Sequence, residues 1–579
     1  MIGTRSAQIP LFEVGNVFDL KLAPGTFHAQ LANAASRLFT DQDFADFYNN
    51  KIGRPSVPPS LLALTLLLQH EAGVSDEEAI ERTAYDLRWA AVLRKEAGQP
   101  LCAKSTLQLF RAHLLLHPQV QSIFVSSIKE AKRAGLLKSS ALRIAVDTKP
   151  IRGRGAVQDT FNLLATGIRQ LARAIAHTQE HTLDDYLNQQ DLHRYSSASL
   201  KGSADIDWSD EAAKEALLTQ VVADAKRLLA LAPLCDPEVG KAAQLLQQLL
   251  LQDVTLTSTP QGSEKAQITE GTAKGRIPSA TDPDIRHGRK SASKRFNGHK
   301  GSIAVDEDTQ IIVGLEVLAG DAGDATDVLP LVEQVEANTQ LPVLETSGDC
   351  AYGGAPTRAA FAQAHRDLLA KVPQEASRNG LFAKSAFEID LQNDRVTCPA
   401  GQVTSTFCTT PEGAKTFAFG SVCAGCPLRA LCTTSKTGRS VSLHPQEPML
   451  QSARAYQRTP EGRARLRRRV VVEHRLARLS QLGISQARYV SRRKTRFQLA
   501  MACALANFRW IWNWEARQAG DAGAQLAPNR SSEQPDASIM GRIWACFGLL
   551  VSLRSILVSR ACAGMSLRRR WALAGRLGA

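Results

Sequence analysis

No stretch of this 579-residue chain is apolar for long enough to cross a bilayer: the run 543–553 near the C-terminus is 11 residues, counting Gly548 and Ser552, before Arg554 ends it. A spanning helix needs about 18 or more, so no membrane partner is expected. The N-terminus has no basic stretch leading into an apolar segment and a small-residue cleavage site, which makes a cytoplasmic protein the expectation. Dense cysteine spacing is missing too. The 11 cysteines are an odd number and mostly scattered, unlike a secreted disulfide framework, so reduced thiols are expected. No internal repeat is evident. At 44% hydrophobic and 22% charged residues, the composition excludes a largely disordered or collagen-like chain. The length suggests about three or four folding units.

Acidic residues are nearly absent from one region. Between Arg454 and Arg496 there are 14 Lys and Arg against Glu461 and Glu473, a local surplus of +12 within a net charge of +14. Such a surface suits a polyanion, because Lys and Arg that neutralise phosphates supply the sequence-independent part of nucleic-acid binding. A solvated helix face is the competing reading.

The first 140 residues read as helical. Pro58-Pro59-Ser60 leads into a leucine-rich run, Gly73 breaks it, and Ser75-Asp-Glu-Glu78 has capping-box spacing, as does Ser105-Thr-Leu-Gln108. Short helices joined by tight turns suit either helix-turn-helix DNA binding or plain packing. From Leu142 the texture changes: Leu142–Asp147 is a β-branched run ending in an acid and then Pro150, which reads as a buried strand. Helical spacing returns from about 155 to 255, 258–286 reads as a linker or exposed loop, and 302–317 as a hairpin. Another strand, 341–346, runs into Gly348-Asp349, and Phe497, Met501, Leu505 and Phe508 form an apolar helical stripe. Strands followed by helices, with a helical insertion between them, predict a mixed α/β core.

Three acids stand out. Asp147 closes one apolar strand, Asp349 follows another, and Glu473 shares a helix face with Val470, Leu476 and Ala477, which predicts that it points inward. A buried ionised carboxylate needs a cation or a metal, and three that converge would suit a pair of divalent ions such as Mg²⁺. Two metals can serve an in-line phosphoryl displacement. Taken singly, each acid also reads as structural: a turn Asp after each strand, and an ion pair of Glu473 with Arg469 or His474. The four thiols of Cys398-x24-Cys423-x2-Cys426-x5-Cys432 could close a tetrahedral zinc site; Cys408 inside the interval complicates the ligand count, and incidental thiols are the alternative. Cys350 reads as a packing residue.

Taken together, Arg143-Ile-Ala-Val-Asp147-Thr-Lys-Pro-Ile-Arg-Gly153, Arg286-His-Gly-Arg-Lys290, Arg295-Phe-Asn-Gly-His-Lys300, Gly348-Asp349-Cys-Ala-Tyr352-Gly353, and Glu473 with Ala487-Arg-Tyr489-Val-Ser-Arg-Arg-Lys-Thr495 resemble a bacterial insertion-sequence transposase of the DDE class. Val57-Pro-Pro-Ser60 and Gly73-Val-Ser-Asp-Glu-Glu-Ala79 resemble that family's helical transposase-associated domain. The resemblance covers most of 1–515. It implies a helical DNA-binding domain over 1–140 and a ribonuclease-H-like catalytic domain over 141–515, with a helical insertion near 155–255 and a Cys-bearing one near 390–440. A basic tail of unknown role, 516–579, follows. The carry-over assigns Asp147, Asp349 and Glu473 as catalytic ligands of Mg²⁺ (or Mn²⁺). Around the glutamate the related pattern Tyr-x2-Arg-x3-Glu-x6-Lys is met by Arg469 alone, with Leu466 and Ser480 where Tyr and Lys would stand. Arg286, Arg289, Lys290, Lys294, Arg295, Lys300, Arg469, Arg475, Arg478, Arg492, Arg493 and Lys494 are the expected DNA contacts.

The implied activity is binding of the element's terminal inverted repeats, metal-dependent cleavage there, and joining to target DNA, by a homodimer on double-stranded DNA that is nucleoid-associated when bound. A nuclease on the same core, or a catalytically inactive DNA-binding derivative, are the alternatives.

Overall fold

The computed structural model describes residues 1–6, 13–14, 21–48, 53–116, 121–258, 264–290, 293–373 and 380–526. The apolar run 543–553 and all of the expected basic tail beyond 526 lie outside the described residues. The chain forms two compact units, Met1–Glu515 and Ala516–Ala579.

Among the described residues, six α-helices open the first unit: α1 (Phe27–Leu38), α2 (Pro59–Ala72), α3 (Asp76–Tyr85), α4 (Leu87–Leu93), α5 (Lys104–Leu116) and α6 (Ser122–Arg133). Helix α2 is apolar on every side and buried on every side except at its C-terminal turn, so it cannot be a groove-reading helix. Gly73 ends it in the left-handed conformation that favours glycine. Ser75 caps α3 by accepting from the Glu78 amide at 3.1 Å. The second expected box does not open its helix: α5 begins at Lys104, and the Gln108 side chain donates instead to Asp76 at 3.1 Å.

Strand β1 (Leu142–Arg152) is the centre of the sheet. A helical block follows, α7 (Thr160–Thr178), α8 (Leu183–Gln189), α9 (Glu211–Leu231) and α10 (Pro237–Asp253), with a hydrophobic core of its own built on Leu164, Ile168, Val221 and Leu246. Of the segment 258–286, residues 259–263 lie outside the described residues, and the rest is not the irregular linker its composition suggests. Strands β2 (Val254–Ser258) and β3 (Glu264–Ile268) form a hairpin, Ile277 and Ala280 are buried in that second core, and Arg276 pairs with the buried Asp253 at 2.6 Å.

The chain then completes the sheet with β4 (Arg286–Arg289), β5 (Arg295–Asp306), β6 (Ile312–Ala319), helix α11 (Val328–Thr339), β7 (Val343–Gly348), α12 (Ala355–Gln363) and β8 (Asp367–Ala370). The order is β6-β5-β1-β7-β8, with β4 also on β5. Successive strands β6, β5 and β1 are antiparallel, and β1, β7 and β8 are mutually parallel.

Strand β1 continues through Pro150. Its pairing with β7 stops at Ala145, while its pairing with β5 persists to Arg152, so Pro150 sits on a one-sided edge where a missing N–H is tolerated. Beyond β8, residues 388–443 form two small antiparallel sheets, β9 (Glu388–Asp390), β10 (Arg395–Thr397) and β11 (Val403–Thr404), then β12 (Phe407–Thr409), β13 (Lys415–Ala418) and β14 (Ser440–Leu443). Four helices close the described chain: α13 (Glu447–Tyr456), α14 (Pro460–Arg467), α15 (Val470–Gln481), which packs on β1 and β5, and α16 (Arg492–Leu526).

The apolar stripe Phe497, Met501, Leu505 and Phe508 of α16 is buried in a core shared by the sheet and the N-terminal helices. Buried Asn507 fastens the three layers: its side chain accepts from the Ile312 amide (2.9 Å) and donates to the Ile312 carbonyl (2.8 Å) and to Ser127 (3.1 Å). Replacing Asn507 with Ala leaves two buried backbone groups without partners, so a loss of about 2–3 kcal/mol is expected. Urea denaturation of both proteins would measure it; an unchanged midpoint contradicts the assignment.

Candidate active site

Strands β1 and β7 part company immediately before the two aspartates. The last paired residues are Ala145 and Ser347; Asp147 lies two positions beyond on β1, and Asp349 just past the end of β7. A crevice opens where parallel strands diverge at their C-terminal ends, a place where α/β sheets characteristically bind ligands. Helix α15 crosses nearby and adds Glu473. Asp147, Asp349 and Glu473 thus line one cavity of about 450 Å³, together with Thr148, Lys149, Arg289, Lys290, Lys300, Asp324 and Arg469.

The Gly-Asp-Cys-Ala-Tyr-Gly segment is shaped by its two glycines. A Cβ at Gly348 would stand 2.8 Å from the Tyr352 ring, and one at Gly353 would stand 1.9 Å from the Lys371 carbonyl oxygen. The first lets the Asp349 turn close on its own Tyr352, and the second sets that turn against the residue following β8. Asp349 accepts from the Ala351 amide at 2.8 Å, and Cys350 is exposed rather than packed.

The electrostatics are strained toward neutrality. Burial, aided by the nearby Asp349 and Asp324 charges, pushes the Asp147 carboxyl up to about 6, against the downward pull of the Thr148 amide and Arg469. Buried Tyr352 is pushed well above its ordinary value by burial and then by Asp147, Asp324 and Asp349. Arg469 reaches both Asp147 (3.4 Å) and Glu473 (2.5 Å). Lys300 binds Asp324 at 2.8 Å and the Ala322 carbonyl at 2.6 Å.

Glu473 does not point into the core. Its side chain is 52% exposed and Val470 and Ala477 are also exposed, because the packed face of α15 is Val472, Arg475 and Leu479. The carboxylate faces the cavity instead, in the ion pair with Arg469. Arg475 is likewise misplaced as a DNA contact: it is 4% exposed, 5.4 Å above the Trp510 ring, and 3.5 Å from the Asn507 side-chain oxygen. Burial pushes its guanidinium down to about 10.

Of the other expected contacts, Arg289, Lys290, Lys300 and Arg469 line the acidic cavity. Lys294, Arg295, Arg492, Arg493 and Lys494 are exposed elsewhere. Arg286 is half-buried against the Pro283 and Ile285 carbonyls, and half-buried Arg478 donates to Gln481. Much of the basic run is used internally, with Arg454 on Glu447, Arg465 on Glu345, Arg468 on Glu307 and Arg496 on Glu316.

Asp324 is the cavity residue that sequence reasoning missed. It accepts from Thr148, the neighbour of Asp147, at 2.9 Å. The signal was a Gly- and Asp-rich loop directly after a strand, Gly320-Asp-Ala-Gly-Asp324-Ala-Thr-Asp327, which does not single out one of its acids.

A second, small cavity of about 20 Å³ is bordered by Cys398, Cys423, Cys426 and Cys432. The Arg439 amide donates to the Cys423 sulfur at 3.4 Å. Cys408 is not in this cavity; it is exposed on β12 and donates to the Thr416 carbonyl. Among the described residues, no group of three or more His, Cys, Asp or Glu is arranged, as placed, to hold a metal ion.

Two family models match the chain: a Transposase DDE domain over residues 397–512, and a Transposase domain (DUF772) over 17–113. The first contains the cysteine cluster and Glu473 and begins after Asp147 and Asp349. No curated protein matches the chain. These two matches support an insertion-sequence DDE transposase. Transposases act on DNA, and a DDE domain implies use of divalent metal in general. Among the described residues no helix is long and apolar enough to cross a membrane.

The raised Asp147 value has a thermodynamic consequence. Its folded-state value of about 6 exceeds the ordinary 3.8, so the carboxyl costs stability once ionised: nothing below pH 4, increasing between 4 and 6, and full above 6. Asp147→Asn is therefore expected to be roughly 2–3 kcal/mol more stable than wild type at pH 7.5 in metal-free buffer. Melting curves from pH 4 to 8 check this; a difference independent of pH would contradict it.

Proposed function

We propose that this chain is a transposase that binds the terminal inverted repeats of its own insertion sequence, cleaves the DNA there with Mg²⁺ or Mn²⁺, and joins the freed 3′-OH to target DNA. The observation that carries the reading is the meeting of Asp147, Asp349 and Glu473 in one cavity, although 201 and 123 intervening residues separate them. A ribonuclease-H-like core is supported by the antiparallel β6-β5-β1 meander continued by parallel β7 and β8, with an acid on the central strand.

The donor set fits a hard divalent ion, because carboxylate oxygens suit Mg²⁺ and burial with like charges already presses Asp147 toward its neutral form. Asp147, Asp349 and Glu473 would hold a pair of such ions, whose chemistry would be activation of the attacking oxygen and stabilisation of the leaving one. Arg289 and Lys290 on the cavity wall would hold the phosphates and position the strand without reading bases. Exposed Arg492, Arg493 and Lys494 would extend that grip. The N-terminal helices would recognise the element's ends, and the family resemblance supports a homodimer on paired ends in a bacterial cytoplasm.

The test is cleavage and joining of labelled DNA ending in the sequence that flanks the gene, with Mg²⁺ and with EDTA. Asp147→Ala, Asp349→Ala and Glu473→Ala are each expected to lower both products by roughly a thousandfold or more while binding persists. Cleavage without joined product would favour a nuclease; binding without cleavage in wild type would favour an inactive derivative.

The second cavity supports a structural zinc on Cys398, Cys423, Cys426 and Cys432, since thiolates are the ligands zinc prefers in closed four-coordinate sites. Elemental analysis of the purified chain is expected to find about one zinc per chain, retained by Cys408→Ser and lost from Cys426→Ser. A folded wild-type chain without zinc would contradict this.

A further inference from the structure

The acids of the main cavity come from separate elements, yet as placed they form no metal-holding group, and one side chain stands between two of them. Arg469 immediately precedes α15 and directs one guanidinium nitrogen to Asp147 on the sheet and another to Glu473 on the helix. A planar fork suits this double engagement, whereas a lysine is a point charge. Glu473 is four residues on along the chain, so the two are neighbours by helical geometry. Asp147 belongs to a different layer, and Arg469 is what ties it to Glu473. Lys300 cannot substitute, being engaged with Asp324 and the Ala322 carbonyl. The Arg469 side chain is 20% exposed, which leaves it a path toward solvent.

We infer that Arg469 is the cavity's built-in counter-ion, holding Asp147 and Glu473 in the metal-free chain and competing with a divalent ion for the same two carboxylates. The inference rests on the metal-dependent reading above. It makes Arg469 a positioning residue whose departure accompanies metal entry. With the guanidinium gone, the carboxylates repel one another and bind a divalent cation more tightly; with it present, part of the binding free energy is used to displace it.

The test is a Mn²⁺ titration of the full chain without DNA, with free Mn²⁺ followed by electron paramagnetic resonance. Wild type, Arg469→Gln, Arg469→Lys and an Asp147→Asn/Asp349→Asn double variant are compared, with circular dichroism to verify folding. Arg469→Gln is expected to bind Mn²⁺ roughly three- to tenfold more tightly than wild type, and Arg469→Lys to fall between the two. Equal or weaker binding by Arg469→Gln, with wild type binding more Mn²⁺ than the double variant, overturns the role of Arg469 alone. If wild type binds no more Mn²⁺ than the double variant, the metal reading falls and takes this inference with it. Should Arg469→Gln not fold, Arg469→Lys decides the matter: binding tighter than wild type supports the role of Arg469, and wild-type affinity overturns it.

Discussion

Asp147, Asp324, Asp349 and Glu473 line a single cavity, and four carboxylates at close quarters repel one another unless something compensates for them. The surrounding structure supplies that compensation in two forms. Arg469 spans Asp147 and Glu473, and Lys300 is fixed to Asp324. Asp147 is nevertheless drawn toward protonation, by burial first and then by the Asp349 and Asp324 charges. A protein with only stability to gain would have replaced such a cluster with apolar side chains. Its retention is intelligible if a divalent cation completes the site.

The scaffold brings the acids together by letting strands separate at a chosen point. Asp147 follows the last residue of β1 that pairs with β7 by two positions, and Asp349 follows β7 itself. Glu473 arrives after the cysteine-bearing segment, which has a small core of its own built on Phe387, Val396, Phe417 and Val441. The helical block between β1 and β4 is self-contained in the same sense. Long stretches between the site residues therefore pack internally and leave the sheet geometry to β1, β5 and β7.

The sequence made the two aspartates legible because each follows a short apolar strand, a local pattern that survives folding unchanged. It misled at Glu473. Val470, Leu476 and Ala477 suggested an inward face, but the packed residues are Val472, Arg475 and Leu479, and the choice between two apolar stripes on one helix is made by tertiary contact. For the same reason Arg475 could not be told from its basic neighbours: burial against Trp510 is not written in a charge run. Residues 258–286 looked like a linker from composition, yet they carry a hairpin and buried Ile277 and Ala280. Asp324 was hidden for a different reason, since nothing local separates it from Asp321 and Asp327 until the loop folds over Thr148.

The most direct test of the central claim is to locate a divalent ion in the folded chain. Crystals of the full chain grown with Mn²⁺, measured at the manganese absorption edge, should show an anomalous peak in ligand contact with Asp147 and Asp349, with the Arg469 guanidinium turned away from Asp147. A fully ordered cavity without such a peak at saturating Mn²⁺, and with Arg469 still bridging Asp147 and Glu473, would contradict the account and leave the acids as a structural ion-pair network.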